Sequence, residues 1–275
     1  MANTDKSREA RFRVIETILL WEGEISNERV REILGIQVVQ ASRVLTEYIS
    51  FNQDQVSKNT NRSPYKSASS IKPKYSIGTV DEYIALSRLF DGAEATIVDA
   101  RYDLTTPTPD ILSKVSQAIR NRYGLAINYL SMTNPSGSQR LIYPHSIVHA
   151  GRRWHLRAWC TDKSAFRDFV IGRIKKADID EKSALRCVEQ DEEWNKKVPL
   201  ILGAHPKLNN DQINVIRNEF FNGAVSRRLM VRACLVQYVI QDIRVAINIE
   251  VELPPEYQLA MLNTDEVKQY LFKAT

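Results

Sequence analysis

Between Phe12 and Tyr48 the apolar residues of this chain return every three or four positions, whereas from Leu125 onward they alternate, and one kind of element cannot bury both patterns. A helix hides a stripe of period 3.6 and a strand hides a face of period 2, so the chain predicts a helical module followed by a β-rich one, an α+β protein. Its 275 residues leave room for two or three domains. At 43% hydrophobic and 26% charged residues, it should bury a proper core rather than stay disordered. No internal repeat is visible. The polar start MANTDKSREARFR and the lack of any run near 18 apolar residues predict neither a secretory signal nor a membrane span, hence a cytoplasmic protein with no membrane partner. Cys160, Cys187 and Cys234 are odd in number, far apart and in no CxxC pair, which fits reduced thiols rather than a disulfide framework or a zinc site.

The helical module has local punctuation. Phe12, Ile15, Ile18 and Leu19 form the stripe of a first helix closed by Gly23. Ser26 is placed to cap a second helix carrying Val30, Ile33 and Leu34, with Gly35 where a left-handed C-terminal residue is wanted. After the turn at Ile36 and Gln37, Ala41, Val44, Leu45 and Tyr48 line the inner face of a third helix. Val39, Gln40, Ser42, Arg43 and Thr46 are left outside. Helix, Gly turn and helix with a polar outer face is the pattern of a helix-turn-helix, and Gln and Arg suit two-pronged contacts to adenine and guanine. Glu47 is the one acidic residue on or near that face. Residues 50–77 read as strand fragments around a polar tip with Lys58, Arg62, Lys66, Lys72 and Lys74 against Asp54, a β-hairpin wing suited to phosphate. The other reading is a three-helix packing module with a solvated loop.

Charge is distributed unevenly. The net charge is +5, yet residues 1–80 hold 12 Lys/Arg against 9 Asp/Glu, residues 120–176 hold 11 against 2, and the rest is acidic. Two anion-facing surfaces are implied. Between them, residues 81–119 read as a connector: a helix over 81–90, a strand in AEATIVDARYDL, a Pro-loaded turn, and a helix capped by Asp110 with Ile111, Leu112, Val115 and Ile119 as its stripe.

Residues 120–189 predict a small antiparallel sheet or partial barrel. Alternation in RRWHLRAW sends Trp154, Leu156 and Ala158 to the core and Arg153, His155 and Arg157 to an opposite face of arginine and imidazole donors. Such a face suits a nucleotide or single-stranded nucleic acid, or is merely solvated.

RWHLRAW followed by FRDFVIGRI resembles the signature of WYL-domain transcriptional regulators, a Trp-Tyr-Leu strand followed by an Arg-x-Phe-x-x-x-Arg-Ile strand, with Arg167, Phe169, Arg173 and Ile174 at the matching positions. His155 stands where the motif has Tyr, and Gly172 where Asp is frequent. WHLRAW, together with LILGAHPKLNNDQINVIRNEF downstream, is similar to the branch controlling phage-defence islands, the BREX-associated and CBASS-associated regulators. The resemblance implies a dimeric DNA-binding regulator, with repression as its sign, built from a winged helix-turn-helix (1–80), a WYL, Sm-like sheet domain (120–189) and a C-terminal α/β dimerisation domain (190–275). It further implies double-stranded operator DNA as one partner and a nucleotide or single-stranded nucleic-acid effector as another, the latter held by Tyr129, Ser131, His145, His155, Arg157, Arg167 and Arg173, to which the strand alternation adds Arg153.

In residues 190–275, VPLILGAHPKL reads as a strand. A helix starting at Asn210 or Asp211 should bury Ile213, Val215, Ile216 and Phe220, and the apolar stretch from Leu229 reads as a buried strand and helix or an interface. No HExxH, HxH, GxGxxG, GxxxxGK[ST] or GxSxG occurs, so no metal, cofactor or catalytic residue is expected and the protein reads as a regulator, not an enzyme. The alternatives are a nucleic-acid-processing enzyme and an adaptor that binds a partner protein through the basic sheet.

Overall fold

In a computed structural model, which describes residues 2–57, 64–68, 71–90, 104–105, 107–151 and 153–272, the N-terminal stripes become helices α1 (Ala2–Glu22), α2 (Asn27–Leu34) and α3 (Val38–Phe51). The Ser26 hydroxyl accepts a hydrogen bond from the Arg29 backbone N–H, and Gly35 closes α2 at φ 60°, a left-handed conformation that costs a residue with a Cβ about 1 kcal/mol or more. Phe12, Ile15, Leu19, Val30, Ala41, Leu45 and Tyr48 are buried together, each apolar side chain contributing on the order of 1.5–3 kcal/mol.

Strand β1 (Glu24–Ile25), between α1 and α2, joins β2 (Val56–Ser57) and β3 (Tyr65–Ser67) in a small antiparallel sheet in the order β1-β3-β2. This is the wing. Its tip, with Lys58 and Arg62, lies outside the described residues.

The chain after the wing is held by a buried acid. Glu16 of α1 accepts hydrogen bonds from the backbone N–H groups of Lys74, Tyr75 and Ser76, at 2.6–2.9 Å. Helix α4 (Val80–Phe90) then returns to α1, where Glu82 accepts from Arg13, from the Ser76 hydroxyl and from the Ile77 N–H. Burial would raise the Glu82 carboxyl, but those bonds hold it below the usual carboxylate range. These elements belong to one compact unit, Met1–Ala100.

The second unit, Arg101–Thr275, begins with α5 (Pro109–Asn121). The helix starts two residues earlier than expected: Thr108, not Asp110, is the cap residue, Pro109 takes the first position that needs no N–H, and Asp110 pairs with Lys114. The two helices of the expected connector thus lie in different units, and its strand falls largely outside the described residues.

Helix α5 covers a five-stranded antiparallel sheet made of β4 (Tyr123–Tyr129), β5 (Ser138–Ala150), β6 (Arg153–Cys160), β7 (Ala165–Val170) and β8 (Ile174–Ser183), in the order β7-β6-β5-β4-β8. Ile111, Val115 and Ala118 of the helix meet Leu125, Ile127, Ile142, Leu156 and Phe169 of the sheet. A 3₁₀ turn at Ile171–Arg173 splits AFRDFVIGRIKKADI into β7 and β8, so Arg173 stands in a turn rather than on a strand.

Beyond the short α6 (Glu192–Asn195), strand β9 (Lys197–Ala204), helix α7 (Asn210–Phe221), strand β10 (Ser226–Arg232), helix α8 (Val236–Asp242), strands β11 (Val245–Ala246) and β12 (Leu259–Met261) and helix α9 (Thr264–Val267) complete the chain. Their sheet runs β10-β9-β12-β11. In α7, Ile216 and Phe221 are buried, Ile213 and Phe220 half-buried, but Val215 is exposed, a correction to the expected stripe that follows from β9 and β10 covering the helix along a narrower band. Among the described residues no helix is long and apolar enough to cross a membrane.

Candidate DNA-reading helix and effector sheet

Helix α3 presents Val39, Gln40, Ser42, Arg43 and Thr46 to solvent while Ala41, Val44, Leu45 and Tyr48 are buried behind them. The side chains differ in freedom. Gln40 accepts from the Gln37 N–H in the capping box that starts the helix, and the Ser42 hydroxyl accepts from the Asn27 amide at 2.7 Å. Among the described residues Arg43 has no acidic partner, and nearby Glu47 is turned toward Arg8 at 3.8 Å. Lys66 is exposed on β3.

The β6 side chains alternate as expected, yet on the outer face only Arg153 is exposed, while His155 and Arg157 are buried. Arg157 is only 4% exposed. Its guanidinium donates to Asp191 through Nε at 2.7 Å and Nη2 at 3.0 Å, to Glu193 at 3.0 Å and to Asp168 at 3.3 Å. Asp168 is the cross-strand neighbour of Arg157 on β7, whereas Asp191 and Glu193 come from the start of α6. The expectation of an open anion-binding Arg157 is corrected accordingly: the acidic stretch that follows the sheet supplies its anions.

His145 joins this cluster because of a register break. Ser146 pairs with Arg157 and Pro144 with Ala158, so His145 is the extra residue of a β-bulge and turns its ring inward. Its Nε2 donates to Asp191 Oδ2 at 3.1 Å, since an ionised carboxylate only accepts, and Nδ1 meets the Ser146 hydroxyl at 2.9 Å. Burial opposes charge on Asp191, but the bonds from His145 and Arg157 hold its carboxyl well below the usual range. Burial instead pushes the Asp168 carboxyl up, against the pull of Arg157 and of the Tyr238 hydroxyl that donates to it at 3.2 Å.

The remaining expected residues scatter. His155 is buried with its ring 4.6 Å from that of Tyr238, and its Nδ1 has no hydrogen-bond partner among the described residues. Burial and the charges of Arg153, Arg173 and His149 lower it to about 4, so it is a neutral ring near pH 7. Tyr129 sits in the core against Phe169, its hydroxyl accepting from the Val170 N–H, and Ser131 closes its own turn by accepting from the Asn134 N–H. Register pairs Arg167 with Ala158, placing it on the face opposite Arg157. Arg153 and Arg167 are exposed and Arg173 half-exposed, and no carboxylate pairs with them among the described residues. The structure therefore gathers His145 with Arg157, and His155 with Arg153 and Arg173, but brings neither Tyr129 nor Ser131 to an open site.

Comparison with known proteins assigns three successive segments. Residues 7–88 match the BrxR transcriptional regulator winged helix-turn-helix domain, 110–179 the WYL domain, and 197–267 the BrxR transcriptional regulator C-terminal dimerization domain. The chain is similar to the DNA-binding transcriptional repressor CapW of Pseudomonas aeruginosa, at 29% identity over 96% of this chain and 92% of that one. It is 30% identical to CapW of Escherichia coli strain KTE188, over 94% of this chain and 90% of the relative. The chain belongs to the CapW family of DNA-binding transcriptional repressors. CapW of Stenotrophomonas maltophilia follows at 26%, over 95% and 91%.

In this CapW-family chain the sequence reading missed the partners of the WYL sheet. Tyr238 of α8 covers His155, Asp191 and Glu193 neutralise Arg157, and Arg232 lies over the Trp194 ring at 4.4 Å. The one available signal was the acidic DEEW run just after a block of net +9. Burial pushes the Cys234 thiol up to about 12, which leaves it un-nucleophilic, and among the described residues no three His, Cys, Asp or Glu side chains gather as a metal site.

Proposed function

We propose that this protein is a homodimeric repressor of a phage-defence operon. Its α3 face reads operator bases, the wing contacts phosphates, residues 190–275 join two protomers, and the WYL domain binds a nucleotide or single-stranded nucleic-acid effector that changes operator affinity. The observation that carries the reading is the unbroken order of winged-helix, WYL and dimerisation segments, shared nearly end to end with relatives named as repressors. The exposed Arg43, with no acid against it among the described residues, supports base reading, because arginine pairs with guanine through two donors. The open arginines Arg153, Arg167 and Arg173 support an anionic effector. A dimer suits the small footprint of one winged helix, since two half-sites multiply discrimination.

The test is binding to DNA upstream of the protein's own gene, read by mobility shift and by the mass of the complex, with and without short oligonucleotides. Two protomers per site and an operator affinity that shifts with oligonucleotide are expected. One protomer per site would overturn the dimer, and an operator affinity indifferent to every nucleotide and oligonucleotide would overturn the effector.

A further inference from the structure

The second unit holds a cleft of about 790 Å³, within the range of small-ligand sites, between the edge of the WYL sheet and the C-terminal segments. One wall comes from the most basic block of the chain, yet the lining as a whole is acidic: Asp168 of that block and Asp191, Glu192 and Glu193 from beyond it face Arg157 and Arg167. Arg157 has already committed its donors to three of those carboxylates. A phosphate entering here would meet four carboxylates, with the exposed Arg167 as the one cation of the described lining not already committed to them.

The rest of the lining is aromatic. Trp159 and Phe166, cross-strand neighbours on β6 and β7, stand edge to face at 5.2 Å, and Tyr238 and Phe272 do the same at 5.2 Å from the C-terminal segments. The Glu193 side chain is 64% exposed and takes one hydrogen bond, from Arg157, so its carboxylate keeps accepting capacity toward the cleft. Flat apolar faces beside an open carboxylate suit a planar, uncharged ring with N–H donors on its edge.

We infer that this cleft takes a nucleobase of the effector, with its amino group donating to Glu193 and its ring stacking among Trp159, Phe166, Tyr238 and Phe272, while the phosphates stay outside on the exposed arginines. The inference rests on the nucleic-acid effector proposed above and adds a polarity, bases inward and backbone outward. It also adds a preference: adenine, cytosine and guanine carry an exocyclic amine and thymine does not, and Asp or Glu accepts from the cytosine amine.

The experiment measures binding of the full chain at one fixed salt to ten-nucleotide dC, dA, dT and abasic strands, and to the mononucleotide dCMP. The dC and dA strands are expected to bind roughly tenfold more tightly than dT, with the abasic strand weakest. Glu193→Ala should bring dC and dT within about twofold of each other, and Phe272→Ala, at an exposed ring, should weaken base-bearing strands while leaving the abasic strand unchanged. A dCMP affinity equal to that of the dC strand supports the cleft with a free nucleotide as its source; a much weaker one supports it with a strand. If all strands bind alike, abasic included, and both variants match the wild type, the base cleft is overturned although an effector exists. If nothing binds, the effector reading itself has failed.

Discussion

The outer face of α3 and the outer face of β6 both carry arginine, Arg43 on the one and Arg157 beside His155 and Arg153 on the other, but the fold treats Arg43 and Arg157 differently. Arg43 is exposed and pairs with no acid among the described residues, Glu47 being turned to Arg8, so its charge is available to a partner outside the chain. Arg157 is buried and carries three carboxylates from two segments of its own chain. A basic stretch is therefore a binding surface only where the fold leaves its charge unpaired. The +9 of residues 120–176 is partly an internal charge whose counter-ions arrive just downstream.

The comparison breaks first at Asp191. Asp191→Ala removes two bonds to Arg157 and one from His145 in a buried place, and should cost about 3–5 kcal/mol of stability in urea unfolding. A loss below about 1 kcal/mol would mean that the Arg157 cluster is slack. Arg43→Ala should do the reverse, leaving unfolding within about 0.5 kcal/mol of wild type while specific operator binding falls by about 1–3 kcal/mol. Equal losses on operator and random DNA would remove Arg43 from base reading.

A third prediction separates the faces by pH. His155 is held at about 4 against an ordinary 6.5, so the unfolded chain takes up a proton between those values that the folded chain refuses. Its contribution to stability is whole above pH 6.5 and is lost as pH falls toward 4, with a slope of up to about 1.4 kcal/mol per pH unit. His155→Phe should flatten that window, and an unchanged slope in the variant would show that other groups set it. The smallest effect belongs to the wing. Lys66→Ala should weaken all DNA sequences alike and lower the salt slope by roughly one phosphate contact, whereas a sequence-dependent loss would make it a base reader.

What could be read in the sequence is what is decided within a few residues. Ser26 and Gly35 bracket α2 as read, because caps act on their own helix ends, and Ala41, Val44, Leu45 and Tyr48 turn inward because 3.6 residues make a turn. The alternation of Trp154, His155, Leu156 and Arg157 likewise follows from the pleat. What escaped depends on distant partners. Asp191 and Glu193 lie 34 and 36 positions from Arg157, and Tyr238 meets His155 from another element. His145 turns inward through a bulge, and Arg167 takes the other face through the register of β7, neither of which period-2 counting reveals. Tyr129 read as a ligand contact because its motif position said so, while its hydroxyl serves the Val170 N–H.

The tied start of α3 bears on how the protein finds its site in a genome. Gln40 is engaged by the turn before the helix and Ser42 by α2, so on a half-site they must trade a bond they already have, while Arg43 and Thr46 come without that exchange. A half-site read mainly by so few side chains spells a short word, and a short word recurs by chance many times along a chromosome. In the dimer proposed above, the address resides less in the letters than in the gap between two copies of the word, a distance that the dimer would measure with its own width, so lengthening the spacer by half a helical turn should silence an operator whose every letter is intact.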